Sequence, residues 1–75
     1  MNPEVVTIGL GYIGLPTSAL IASHGTKVLG IDINQKIVDT INQGKIHIVE
    51  PDLDEIVSKV VSNGFFKAST KPTSA

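Results

Sequence analysis

Three glycines and one carboxylate have the spacing of a phosphate cradle and a sugar grip. Gly9, Gly11 and Gly14 fall in the run Gly9-Leu10-Gly11-Tyr12-Ile13-Gly14, and Asp32 follows 18 residues past Gly14. The glycine spacing alone is weak, because seven glycines in 75 residues produce it by chance. It gains meaning when a strand precedes it, a helix opens within it, and an acid follows about 20 residues on. All three conditions hold here. Gly9 permits the tight strand-to-helix turn, where a Cβ would obstruct. Gly11 leaves room for a pyrophosphate against the backbone, and Gly14 lets the helix pack close to the strand. Free N–H groups around Tyr12 and Ile13 then point at the phosphates, with the positive end of the helix dipole behind them.

Asp32 is placed to accept hydrogen bonds from the ribose hydroxyls of an adenosine half. A carboxylate there repels a 2′-phosphate, and the chain has no arginine to hold one. The pattern therefore favours NAD over NADP. Two plainer readings stand beside these: a glycine turn needed only for tight packing, and an aspartate that caps the next helix. Asn34 is better placed for the second task. Tyr12 either shields the pyrophosphate or rests on the surface. Glu50, Asp52, Asp54 and Glu55 gather at the start of one helix, where acids offset the dipole. His24 and His47 lack a metal-ligand spacing, so no metal site is expected.

The elements that must position these groups follow from the hydrophobic pattern. Val5-Val6-Thr7-Ile8 is a β-branched run of the kind buried on both faces of a parallel sheet. A helix starts near Tyr12 or Ile13, since Pro16 is admissible only in a first turn, and runs to His24 with Gly25 as its stop. Lys27 to Ile31 is a second strand ending at Asp32. Asn34 caps a helix that runs through Gln43, with Ile37, Val38 and Ile41 as its apolar stripe and Gly44 ending it. Ile46 to Ile48 is an extended connection. Glu50 or Asp52 opens a third helix with Pro51 in its first turn, and Leu53, Ile56, Val57, Val60 and Val61 recur at helical spacing until Gly64. Phe65 to Ser69 is a third strand whose two phenylalanines serve the core, and residues 71–75 add no element.

Strand, helix, strand, helix, helix, strand opens an α/β fold wound in parallel. Right-handed crossovers give the spatial order 3-2-1, the first βαβαβ half of a Rossmann-type sheet. A complete sheet would pair a fourth strand with the free side of the first, and the chain stops before one. The sequence thus reads as the opening part of a longer dinucleotide-binding domain. Its first strand would expose one edge of unpaired backbone groups, which invites self-association. A homo-oligomer, or weak NAD binding by this piece alone, is expected.

Composition excludes several functions. The chain is 41% hydrophobic and 17% charged, too apolar for a disordered tail. A domain this short buries only about 60% of its unfolded surface, so its stability is marginal. Six lysines against seven acids leave a net charge of −1, with no basic stripe for nucleic acid. Residues 5–23 carry no charge over 19 positions. Glycines and a proline interrupt that run, and the acidic start MNPE does not suit a signal peptide. No membrane partner is expected, and the location is cytoplasmic.

The stretch GLGYIGLPTSA, followed by GIDIN and then INQGKIHIVEPDL, resembles the N-terminal region of the UDP-glucose/GDP-mannose dehydrogenase family. The similarity runs over essentially the whole chain. HIVEPDL, GYIGLP and ASTKP look nearest to members that act on an N-acetylated amino sugar carried by UDP. The resemblance implies oxidation of the C6 alcohol of a nucleotide sugar to a carboxylate by two NAD⁺, through a thiohemiacetal and a thioester on a distant cysteine. What carries over to this chain is the cofactor half alone: Gly9, Gly11, Gly14, the backbone at Tyr12 and Ile13, and Asp32. Some relatives place a lysine five residues after that aspartate, where this chain has Ile37. The catalytic residues and the nucleotide-sugar pocket lie outside the 75 residues, which contain no cysteine. Rival readings are a stand-alone dinucleotide-binding module, or another user of the fold such as a flavoprotein, a methyltransferase or a hydroxyacid dehydrogenase.

Overall fold

The computed structural model describes residues 2–72, so the last three residues of the closing stretch lie outside the described residues. Three four-residue strands form one parallel sheet: β1 (Val5–Ile8), β2 (Val28–Ile31) and β3 (Phe66–Ser69). Their spatial order is β1-β2-β3, the 3-2-1 half-sheet expected of the pattern. Helices α1 (Gly14–Ser23), α2 (Gln35–Asn42) and α3 (Leu53–Ser62) fill the connections.

Strand register explains where the core sits. Val5, Val28 and Phe66 form one row across the sheet, and Thr7, Gly30 and Ala68 another. Val28, Phe66 and Ala68 belong to a single buried cluster with Leu15 and Ala19 of α1, Val38 and Ile41 of α2, and Leu53, Val57 and Val60 of α3. One face of the sheet therefore carries the shared core of all three helices. Burial of residues 5–8 on both faces does not hold. Val6 is 46% and Ile8 78% exposed, because β1 lies at the edge of the sheet rather than inside it. Central β2 is the strand buried at every position.

Helix ends follow local chemistry with two departures. Asn34 caps α2 as expected, its Oδ1 accepting from the N–H of Lys36 at 3.0 Å and of Ile37 at 3.4 Å. Gly25 and Gly44 leave their helices at φ +91° and +78°. The first departure is in α1, which begins at Gly14 after a turn over Gly11–Ile13, slightly later than expected, with Pro16 still in its first turn. The second is in α3, where Pro51 lies in a turn before the helix rather than inside it. Asp52 adopts a left-handed backbone there (φ 65°), and its side chain caps nothing. The turn is closed instead by the Leu53 N–H donating to the Glu50 carbonyl at 3.2 Å.

The outer edge of β3 is capped at Ala68 by a side chain. The Asn42 amide donates to the Ala68 carbonyl and accepts from the Ala68 N–H, each at 2.8 Å. An amide carries one donor end and one acceptor end, so it reproduces what a neighbouring strand would offer.

Candidate functional site

The glycine loop leaves the C-terminal end of β1, beside the end of β2. Gly9 continues the strand ladder, its N–H donating to the Ile31 carbonyl at 2.7 Å, and then turns at φ +89°. That positive φ is available to glycine at little cost. A Cβ on Gly14 would overlap the Gly9 carbonyl, so the helix can approach the strand this closely only without a side chain. A Cβ on Gly11 would meet nothing within 4 Å. Gly14 is thus required by packing, whereas the room beside Gly11 is left open. No acceptor among the described residues takes the N–H of Tyr12 or Ile13, and both side chains are exposed. Those amides are donors at a helix N-terminus, ready for an anion.

Two hydroxyls lock the loop to its helix. Ser18, fully buried, donates from Oγ to the Gly14 carbonyl at 2.6 Å and shares a 2.7 Å hydrogen bond with the hydroxyl of Thr7 on β1. Leu10 adds an apolar anchor. Its side chain is completely buried, in space that Gly30 of β2 leaves free: a Cβ on Gly30 would come within 2.7 Å of Leu10 and 3.0 Å of Phe66. The motif reading assigned no part to Leu10 or Gly30. The available signal was the glycine in the middle of the apolar strand VLGI, which marks a close approach by another group.

Asp32 stands at the end of β2 and does two things at once. Its Oδ2 accepts from the Leu10 N–H at 3.0 Å, tying it to the glycine loop, and its Oδ1 accepts from the Asn34 N–H at 2.9 Å. The second bond shapes the turn into α2, so the plainer structural role coexists with a free face toward the crevice. The Asn34 and Leu10 amides hold its carboxyl below the ordinary value of 3.8; slight burial works against this, and the charge of His47 adds to it. Asp32 is therefore an anion at neutral pH. A groove of about 220 Å³ beside it is lined by Ile8, Gly9, Ile31, Asp32 and Ile33. A broader, open hollow of about 560 Å³ between the α2–α3 loop and α3 contains none of the glycine-loop residues.

Open space at Gly11, unpaired amides at Tyr12 and Ile13, and an ionised carboxylate one strand away fit a dinucleotide. Together with the parallel half-sheet, they define a Rossmann-type dinucleotide-binding unit. The chain belongs to the UDP-glucose/GDP-mannose dehydrogenase family: residues 3–75 match the model of that family's NAD binding domain. NAD is accordingly its cofactor.

Similar proteins agree on the class and differ in the sugar. A UDP-N-acetyl-D-mannosamine dehydrogenase of Campylobacter jejuni is 62% identical over 72 residues, covering 96% of this chain and 18% of the relative. An NDP-N-acetyl-D-galactosaminuronic acid dehydrogenase of Ralstonia nicotianae is 58% identical over 71 residues, with 95% and 17% covered. The native structure of a UDP-N-acetyl-mannosamine dehydrogenase from Staphylococcus aureus superposes with a TM-score of 0.87 at 51% identity, covering 91% of this chain and 16% of that one. The chain therefore spans less than one-fifth of the length of these relatives.

Proposed function

We propose that residues 1–75 form the opening part of the NAD-binding domain of a nucleotide-sugar 6-dehydrogenase. The reaction is oxidation of UDP-N-acetyl-D-mannosamine to UDP-N-acetyl-D-mannosaminuronate with two NAD⁺. Gly9, Gly11 and Gly14 shape the seat of the pyrophosphate, the Tyr12 and Ile13 amides donate to it, and Asp32 accepts from the adenosine ribose. NAD, when bound, supplies the hydride acceptor. With no cysteine in this chain, the thiol that the family's chemistry requires comes from other residues of the enzyme. Both amino-sugar relatives support an N-acetylhexosamine substrate, and the higher identity of the Campylobacter jejuni protein supports mannosamine within that class. Self-association and a cytoplasmic location belong to the same reading; no helix among the described residues is long and apolar enough to cross a membrane.

The observation that carries this proposal is the bond from Leu10 N–H to Asp32, which joins the phosphate loop and the ribose-binding acid in one crevice. Calorimetric titration with NADH and NADPH tests it. The chain should prefer NADH, and Asp32→Ala should weaken NADH binding about tenfold while narrowing that preference. Equal affinity of the unmodified chain for both cofactors would overturn the assignment of Asp32.

A further inference from the structure

The Tyr12 and Ile13 amides are both free, and the fold does not treat them alike. A peptide N–H becomes a better donor when the carbonyl of its own peptide unit accepts a hydrogen bond. For the Tyr12 N–H that carbonyl belongs to Gly11, and it accepts from the Leu15 N–H at 3.1 Å. For the Ile13 N–H it belongs to Tyr12. Its helical donor would stand four residues on, at Pro16, which has no N–H. No other donor among the described residues reaches the Tyr12 carbonyl.

Behind the Gly11 carbonyl the series continues into the interior. The Leu15 N–H shares its peptide unit with the Gly14 carbonyl, which takes the Ser18 hydroxyl at 2.6 Å. Ser18 has one hydroxyl hydrogen, and a carbonyl can only accept. The 2.7 Å bond between Ser18 and Thr7 is therefore donated by Thr7. Every donor points the same way: Thr7 to Ser18, Ser18 to Gly14, Leu15 to Gly11, with the Tyr12 N–H unspent at the end. Bonds aligned like this strengthen one another by about 10–30% each. Ser18 is fully buried, so water does not dilute the effect at that link.

We propose that Thr7 and Ser18 are positioning residues for the phosphate grip: through this relay they fix the glycine turn and strengthen the Tyr12 amide as a donor to an incoming diphosphate. Tyr12 is then the principal donor of the pair and Ile13 the weaker one. This rests on the reading of the crevice as the dinucleotide's seat.

The test is an NMR titration of the isotope-labelled 75-residue chain with NAD⁺, reading the backbone amides of Tyr12 and Ile13. In the unmodified chain the Tyr12 amide proton should move downfield at saturation, further than that of Ile13. Thr7→Val combined with Ser18→Ala removes both hydroxyls, so neither is stranded, and the melting temperature should hold. In that double variant the Tyr12 shift should shrink, the Ile13 shift should stay, and NAD⁺ should bind about threefold more weakly. Thr7→Val alone keeps the Ser18 bond to Gly14 and should give a smaller change in the same sense. Equal changes at the two amides, or a Tyr12 shift unaltered in both variants, would overturn the relay and leave the crevice reading standing. If NAD⁺ moves neither amide in the unmodified chain, both fall.

Discussion

Gly11 and Gly14 lie three residues apart and answer differently to the same added methyl group. On Gly14 the methyl would overlap the Gly9 carbonyl, whereas on Gly11 it would reach open space. Gly14→Ala should therefore cost about 3 kcal/mol, enough to unfold most of so small a domain. Gly11→Ala should leave the melting temperature nearly unchanged and weaken NAD binding instead. Circular dichroism melts paired with calorimetry separate the two outcomes, and equal thermal losses in both variants would show that the loop serves packing alone. The packing role of Gly14 is legible in sequence, and so is the need for glycine at Gly9. There, however, the backbone at φ +89° excludes a side chain, and the expected obstruction of a Cβ by neighbouring atoms is not found. Leu10 is not legible in that way. The motif leaves its position unrestricted, and its burial depends on Gly30, a residue 20 places on that meets it only in three dimensions.

Among the elements, those with local signals match their pattern. Asn34 caps α2 through its own side chain, and Gly25 and Gly44 end helices by a conformation that depends on few neighbours. The start of α3 departs from expectation because Pro51 suits a turn as well as a first helical position, and the chain uses the turn. Burial of β1 departs because it depends on neighbours that the run Val5-Val6-Thr7-Ile8 does not encode. Asn42 carried no signal at all, since an amide in the last turn of a helix looks like surface. Its two bonds to Ala68 make it part of the sheet. Asn42→Leu should cost about 1–2 kcal/mol by leaving the Ala68 N–H and carbonyl unpaired. Amide exchange at Ala68 should speed up accordingly; unchanged protection there would mean the edge is held by other contacts.

Across the whole molecule, the two edges of the sheet are unequal. Asn42 covers the β3 edge at Ala68, while among the described residues β1 has no counterpart on its outer side. The N–H groups of Val5 and Gly9 bond toward β2, so the alternation of a parallel ladder turns those of Val6 and Ile8 outward. Their side chains are the exposed apolar ones on that strand. An edge of this kind recruits another strand. The chain should therefore sediment above monomer mass, and Ile8→Lys should return it toward monomer with its circular dichroism intact. A monomeric unmodified chain at the same concentration would remove the argument.

Leu10 also constrains how a dinucleotide can come and go. Its amide faces the crevice while its side chain fills the space beneath Gly30 and beside Phe66. The turn proposed to hold the phosphates cannot swing aside without pulling a stopper from the interior. Burial of Leu10 therefore predicts that this turn keeps one shape whether or not a dinucleotide is present.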